Sequence, residues 1–158
     1  AAVDRLYREL NTVLTEHRGT LNNYVGDAYF AIWECDTDPD AANNALRFAL
    51  TAARTVAAVA PTLALRHPDG RPIHMGWGVV MGRAAMSSLS HALVTVLGDS
   101  TNLAFRLSGL AGREGHADVV VTAAIRDRAG PEFTFDPGVE VSVRGRTGIE
   151  KVFGAHAV

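Results

Sequence analysis

Asn102 and Arg106 lie four residues apart in the stretch VLGDSTNLAFRL, Val96 to Leu107, where a glycine and an Asp-Ser-Thr run precede Leu103, Ala104, Phe105 and Leu107. That pattern reads as a helix start followed by a packed helix, and residues four apart share a helical face. An amide beside a guanidinium is poor core filling. Arginine offers a planar fork of donors and a permanent charge, the best side-chain match to a phosphoryl group. An amide one turn away can hydrogen-bond a sugar oxygen. The pair therefore suits a nucleotide polyphosphate. The structural alternative has Arg106 snorkelling from the apolar face to water or pairing with a carboxylate. Ser100 or Thr101 is placed to cap the helix, which leaves Asn102 no capping task.

A second candidate is Asp27, in TLNNYVGDAYFAIW. Two apolar, aromatic-rich runs flank Gly26-Asp27, a strong hairpin signal. Aspartate is a good turn residue, and taken alone Asp27 favours that explanation. Its functional reading is a carboxylate at the end of a rigid β-element, able to hold Mg²⁺ or Mn²⁺ through hard oxygen ligands.

The elements around these residues follow from periodicity and punctuation. Val3, Leu6, Leu10, Val13 and Leu14 recur at helical spacing, and HRG at 17–19 supplies a basic last turn with a glycine just past it. DTDPDAANNALRFAL starts a second helix, with Asp38 placed to cap it and Pro39 at its first position, ending near Pro61. HPDGRP is a turn, IHMGWGVVMGRAAM a glycine-containing strand region, and Ala92–Leu97 a further strand. The Asn102/Arg106 helix runs to GREG. ADVVVT is a strand, Ala123–Arg128 a short helix, and VEVSVRGRTGIEKVFG a terminal β segment. This order is α+β, with helices layered on a mainly antiparallel sheet.

Composition narrows the classes. At 158 residues there is no room for two well-buried cores, so residues 1–158 are expected to form a single domain. Hydrophobic residues make up 47% and charged residues 20%, as in a soluble globular protein. A formal charge of −2 gives no support to bulk attraction for nucleic acid or an anionic membrane. Arg47, Arg54 and Pro61 interrupt the most apolar run, Ala45 to Leu65, and disqualify it as a membrane span. No signal peptide is visible, so the expected location is cytoplasmic, alone or as the cytoplasmic domain of a larger protein. The single cysteine, Cys35, excludes a disulfide framework and reads as a small residue packed in a strand.

YVGDAYFAIW, GVVMGRAAM and TVLGDSTNLAFRL, in that order, resemble the catalytic domain of class III nucleotide cyclases. The third stretch matches the family pattern at Thr95, Val96, Gly98, Asp99, Asn102, Leu103, Ala104, Arg106 and Leu107, and the likeness spans essentially the whole chain. It implies a ferredoxin-like antiparallel sheet with layered helices, the nucleotide cyclase fold. It also implies a head-to-tail homodimer that converts a nucleoside triphosphate to the 3′,5′-cyclic monophosphate and pyrophosphate at its interface. By position Asp27 corresponds to one of two metal-binding aspartates, Asn102 to the ribose-orienting asparagine and Arg106 to the arginine that stabilises the transition state. Two Mg²⁺ or Mn²⁺ ions per site are implied. Asp27 of one chain would work with Asn102 and Arg106 of the other.

The base-reading positions hold Asn23 and Thr95. Thr95 is a variant found in bacterial members, and Asn23 departs from the commoner lysine. The Glu and Cys typical of guanylate-specific members are absent. An amide and a hydroxyl each donate or accept, so either purine can be satisfied. The reading leans to ATP with relaxed selectivity, GTP being the other candidate, while Asn23 is also explained as a polar strand residue facing water.

The chain opens AAVDRLYREL, inside a helix, so the family's first strand, its other metal aspartate and its phosphate-holding loop are expected in a longer parent polypeptide upstream. The alternative is a catalytically degenerate cyclase-homology domain used for dimerisation or nucleotide sensing; a palm-type nucleotidyl transferase fits the hairpin carboxylate but not the Asn-to-Arg helix. The six histidines show no ligand spacing with carboxylates. Glycines in Gly76–Gly82 mark close backbone approach, expected at the dimer cleft. Arg144 and Arg146 read as solvated turn residues, and Lys151 falls one residue off a family phosphate-binding lysine.

Overall fold

The computed structural model describes residues 2–25, 28–63, 70, 75–82, 85–90, 93–97, 99–113, 115–142 and 149–158; at 2, 3, 22–25, 28, 85–90, 93–97 and 99–101 the description is of backbone only. Helix α1 (Ala2–Glu16) buries Leu6, Leu10, Val13 and Leu14, the predicted stripe. Its left-handed closing residue is Arg18 (φ 62°) rather than the following glycine, with the Gly19 amide returning to the Leu14 carbonyl.

The hairpin follows: β1 (Thr20–Val25) pairs antiparallel with β2 (Ala28–Ile32). It is fastened to α1 at two points. The Tyr29 hydroxyl donates to Asn11 Oδ1 at 2.6 Å, and Trp33 Nε1 donates to the His17 carbonyl at 2.8 Å. Cys35 is exposed in the turn that follows, not packed in a strand: β2 has already ended at Ile32.

Helix α2 (Ala41–Val59) continues into a 3-10 turn (Ala60–Leu63), ending where Pro61 predicts. Its start differs from expectation. The N-cap residue is Asp40, and Asp38 and Pro39 lie before it. Asp38 instead accepts from the Asp40 amide and from Asn44 Nδ2, both at 2.9 Å, so the carboxylate staples the approach to the helix rather than capping it.

Beyond α2 come β3 (Trp77–Val79), β4 (Ala85–Ser90), β5 (Leu93–Leu97), helix α3 (Asp99–Leu110), β6 (Val119–Thr122), helix α4 (Ala123–Arg128), β7 (Phe133–Phe135), β8 (Val139–Ser142) and β9 (Ile149–Ala157). The main sheet orders β3-β6-β9-β7, with β8 also on β9. Its ladders are antiparallel except β3 with β6, which are joined through α3 and run parallel. β4 and β5 form their own antiparallel ladder, as do β1 and β2.

Every residue of β6 is buried, because the strand is covered on both faces. Val119 and Val121 join Leu10, Leu46, Phe48, Val56, Trp77 and Phe153 in the larger cluster, under α1 and α2. Val120 turns the other way and joins Val152 beneath Leu103 and Leu107 of α3 and Ala111 just past its end. The sheet thus lies between an α1/α2 layer and α3, the layered α+β arrangement expected.

Candidate active site

Helix α3 carries the residues that prompted a nucleotide reading, and its seating explains their presentation. Leu103, Leu107 and Ala111 turn inward at helical spacing and are buried. A strand bearing side chains would hold the helix away; β3 meets it with glycines. A Cβ on Gly78 would lie 2.6 Å from the Ala104 carbonyl oxygen and 2.7 Å from Leu107 Cβ, and one on Gly76 would strike the Ala111 carbonyl oxygen. At Gly76 and Gly78 the close approach expected of this glycine segment is to α3 and Ala111 just beyond it, within the same chain.

With its apolar side committed, α3 exposes Asn102 and Arg106. Four residues at 1.5 Å rise separate them by about 6 Å along the axis, on one face. Neither is engaged in a hydrogen bond or ion pair with another described residue. Ser100 and Thr101 lie inside the first turn, since the helix begins at Asp99; the capping position falls before them. Asn102 and Arg106 are thus set on a rigid base with their polar ends outward.

The other candidates are arranged around this helix. Thr95 lies on β5, paired with Ser87, two residues before the strand ends and the connection to α3 begins. β1 runs beside β5. Asn23 sits on β1 opposite Phe30, directly after a register shift between Leu21 and Asn23. Bulges of this kind are used to re-aim a strand. The hairpin also touches α3, because Phe30 meets Phe105 edge to face. One chain therefore brings the elements bearing Asn23, Thr95, Asn102 and Arg106 together. Asp27 lies outside the described residues, as do Arg144 and Arg146.

Solved structures of similar fold include nucleotide cyclases. The guanylyl cyclase Cya2 matches with a TM-score of 0.83 at 17% identity, over 99% of this chain and 79% of that one. The adenylyl cyclase CyaB from P. aeruginosa matches with a TM-score of 0.81 at 13% identity, over 99% and 81%. The guanylate cyclase domain of RhGC from Catenaria anguillulae, in complex with GTP, gives 0.77 at 18% identity, over 99% and 82%. This chain has the nucleotide cyclase fold. No protein-family model matches it, and no curated protein matches it.

Within this cyclase fold, the described residues contain no group of three or more His, Cys, Asp or Glu able to hold a metal ion. The donor suited to a hard divalent cation is the carboxylate of Asp27: right in type, and a single ligand. Lys151 is exposed on β9, opposite Glu140. One histidine meets a carboxylate in space: His156 Nε2 lies 2.9 Å from Asp136 Oδ2, with both side chains about half exposed. They are twenty residues apart, His156 on β9 and Asp136 just past the end of β7, a pairing that linear spacing does not reveal. The Phe30–Phe105 contact has one signal in the sequence, an aromatic on the hairpin and another on α3. No described helix is long and apolar enough to cross a membrane.

Proposed function

We propose that residues 1–158 act as one metal-dependent nucleotide cyclase catalytic domain that works as a head-to-tail homodimer in the cytoplasm, converting ATP to 3′,5′-cyclic AMP and pyrophosphate. The observation that carries this reading is the exposed Asn102/Arg106 pair, bonded to no other described residue, on a helix seated flush against the sheet of a cyclase fold.

In this reading the Asn102 amide hydrogen-bonds a ribose oxygen and turns the 3′-hydroxyl toward the α-phosphorus. The new O3′–P bond forms in line with the P–O bond to the departing pyrophosphate, which breaks, while the hydroxyl proton passes to solvent. Negative charge grows on the α-phosphoryl oxygens as this happens. Arg106 places its fork of donors there, stabilising charge where it develops. Asp27 of the partner subunit faces the same triphosphate, and Mg²⁺ or Mn²⁺ held through that carboxylate would supply Lewis-acid neutralisation of phosphate charge. Asn23 and Thr95 meet the purine edge. Each can donate or accept, so either purine can be satisfied; with the Glu and Cys of guanylate-specific members at neither position, the reading leans to ATP and admits GTP.

The protein at its full natural length, incubated with Mn²⁺ and either ATP or GTP, should release the cyclic monophosphate and pyrophosphate, resolved by chromatography. Nucleotide binding without turnover would instead assign a nucleotide-sensing or dimerisation module, and linear products a nucleotidyl transferase.

A further inference from the structure

Gly109 occupies α3 one turn past Arg106, is exposed, and has nothing within 4 Å of the point where a Cβ would stand. The described glycines inside helices and strands are Gly78, Gly109 and Gly154. The other two have local reasons: a Cβ on Gly78 would enter α3, and one on Gly154 would strike Asp136 and Ala117. Nor is Gly109 a helix terminator. The left-handed glycine that closes this helix is Gly112 (φ 74°), and the Ala111 amide still reaches back to the Leu107 carbonyl, so Gly109 is spanned by helical bonding. A glycine within an exposed helix costs stability relative to alanine. Nothing among the described residues explains that cost.

Asn102, Arg106 and Gly109 follow one another at i, i+4 and i+7, a single exposed stripe. Side chains on a helix lean toward its N-terminus. Arg106 therefore reaches toward Asn102 and away from Gly109, and a nucleotide held by those two tips lies on the far side from the glycine. What a bare backbone at 109 admits is a surface lying flat along the helix beyond the nucleotide. Resting on the dimeric reading above, we infer that Gly109 is a positioning residue: it lets a second copy of this chain seat flush on α3. That seating brings the copy's hairpin carboxylate within reach of the phosphates held by Arg106. The charges agree, because the stripe carries a cation and Asp27 is the one acidic residue between Gly19 and Ile32.

The inference separates stability from assembly. Gly109→Ala places a methyl in open space on a helix, so at concentrations where both proteins are monomeric the variant should melt at the parent temperature or a few degrees above it. The same methyl, set where a partner's backbone approaches, should raise the dimer dissociation constant about tenfold, measured by sedimentation equilibrium, and Gly109→Leu should raise it further. Parental dimer affinity in both variants would overturn the inference, and so would a lowered melting temperature for Gly109→Ala measured on the monomer, at concentrations well below the dissociation constant, since that residue would then be packed within its own chain. A parent protein that stays monomeric at every concentration would overturn the dimeric reading itself, and this inference with it.

Discussion

Phe30 of the hairpin and Phe105 of α3 meet edge to face, with ring centroids 5.2 Å apart and planes inclined by 64°. Phe105 immediately precedes Arg106, and Phe30 is the register partner of Asn23. A single aromatic contact thus couples the strand of the proposed base-reading residue to the helix of the proposed phosphate-binding one. Edge-to-face pairs contribute about 0.5–1.5 kcal/mol beyond the area they bury.

That coupling is measurable. Phe30→Ala and Phe105→Ala, alone and combined, form a double-mutant cycle read by denaturant unfolding. The single variants should each lose about 1–3 kcal/mol, less than a fully buried phenylalanine because both rings are half-buried. The interaction energy should be about 0.5–1.5 kcal/mol. Strict additivity would mean that the rings do not touch in solution.

Arg106 is exposed and bonded to no other described residue, so its removal should leave the fold untouched. Arg106→Ala should melt within about 0.5 kcal/mol of the parent. Its turnover should fall by about 10²–10³-fold, the loss typical of one donor aimed at developing charge. Arg106→Lys should recover only part of that, since an ammonium lacks the planar fork. Turnover of the alanine variant equal to that of the parent would remove Arg106 from the mechanism.

Much of this was legible in the linear chain because it depends on local rules. The stripe Leu6–Leu10–Val13–Leu14, the aromatic runs about Gly26-Asp27 and the segment Ala123–Arg128 are each fixed by periodicity or turn chemistry within a few residues. The Asn102/Arg106 face was legible for the same reason: a spacing of four needs only a helix to become a face. What escaped depends on contacts distant in sequence. Asp38 has the chemistry of an N-cap, yet the bond from Asn44 Nδ2 draws it into a staple and passes the cap position to Asp40. Gly76 and Gly78 announce a close approach without naming what approaches. Only the path of the chain from β3 back through α3 supplies the answer, and the same holds for Phe30 with Phe105 and for His156 with Asp136.

The seating of α3 can be tested through Gly78. A Cβ there would stand 2.6 Å from the Ala104 carbonyl oxygen and 2.7 Å from the Ser108 amide nitrogen, both backbone atoms that cannot rotate aside. Gly78→Ala should therefore push α3 off the sheet and cost about 1–3 kcal/mol, read as a lower melting temperature. Product formation should fall too, because Asn102 and Arg106 travel with the helix. The sign is opposite to that expected at Gly109, although the substitution is chemically identical. A Gly78→Ala protein that melts like the parent would contradict the flush packing of β3 against α3.

The approach to α2 carries a pH signature. Asp40 accepts from Asn43 Nδ2 at 2.7 Å and from Arg47 Nη1 at 2.9 Å, and Arg47 also pairs with Glu132 ahead of β7. The Asn43 bond first, and then Arg47, hold the Asp40 carboxyl below its ordinary value. A carboxyl depressed in the folded state stabilises the fold above its unfolded value, near pH 4, and loses that contribution as pH falls through the folded value. The side chains of Arg47 and Asp40 are 35% and 49% exposed, so water screens the pair and its worth is about 0.2–1 kcal/mol. Asp40→Asn should therefore unfold at lower denaturant than the parent at pH 7, and the gap should close as pH falls below the ordinary carboxylate value and through the lowered folded one, where the parent carboxyl protonates. A gap that stayed constant across that range would show that the charge on Asp40 contributes nothing and that only its shape matters.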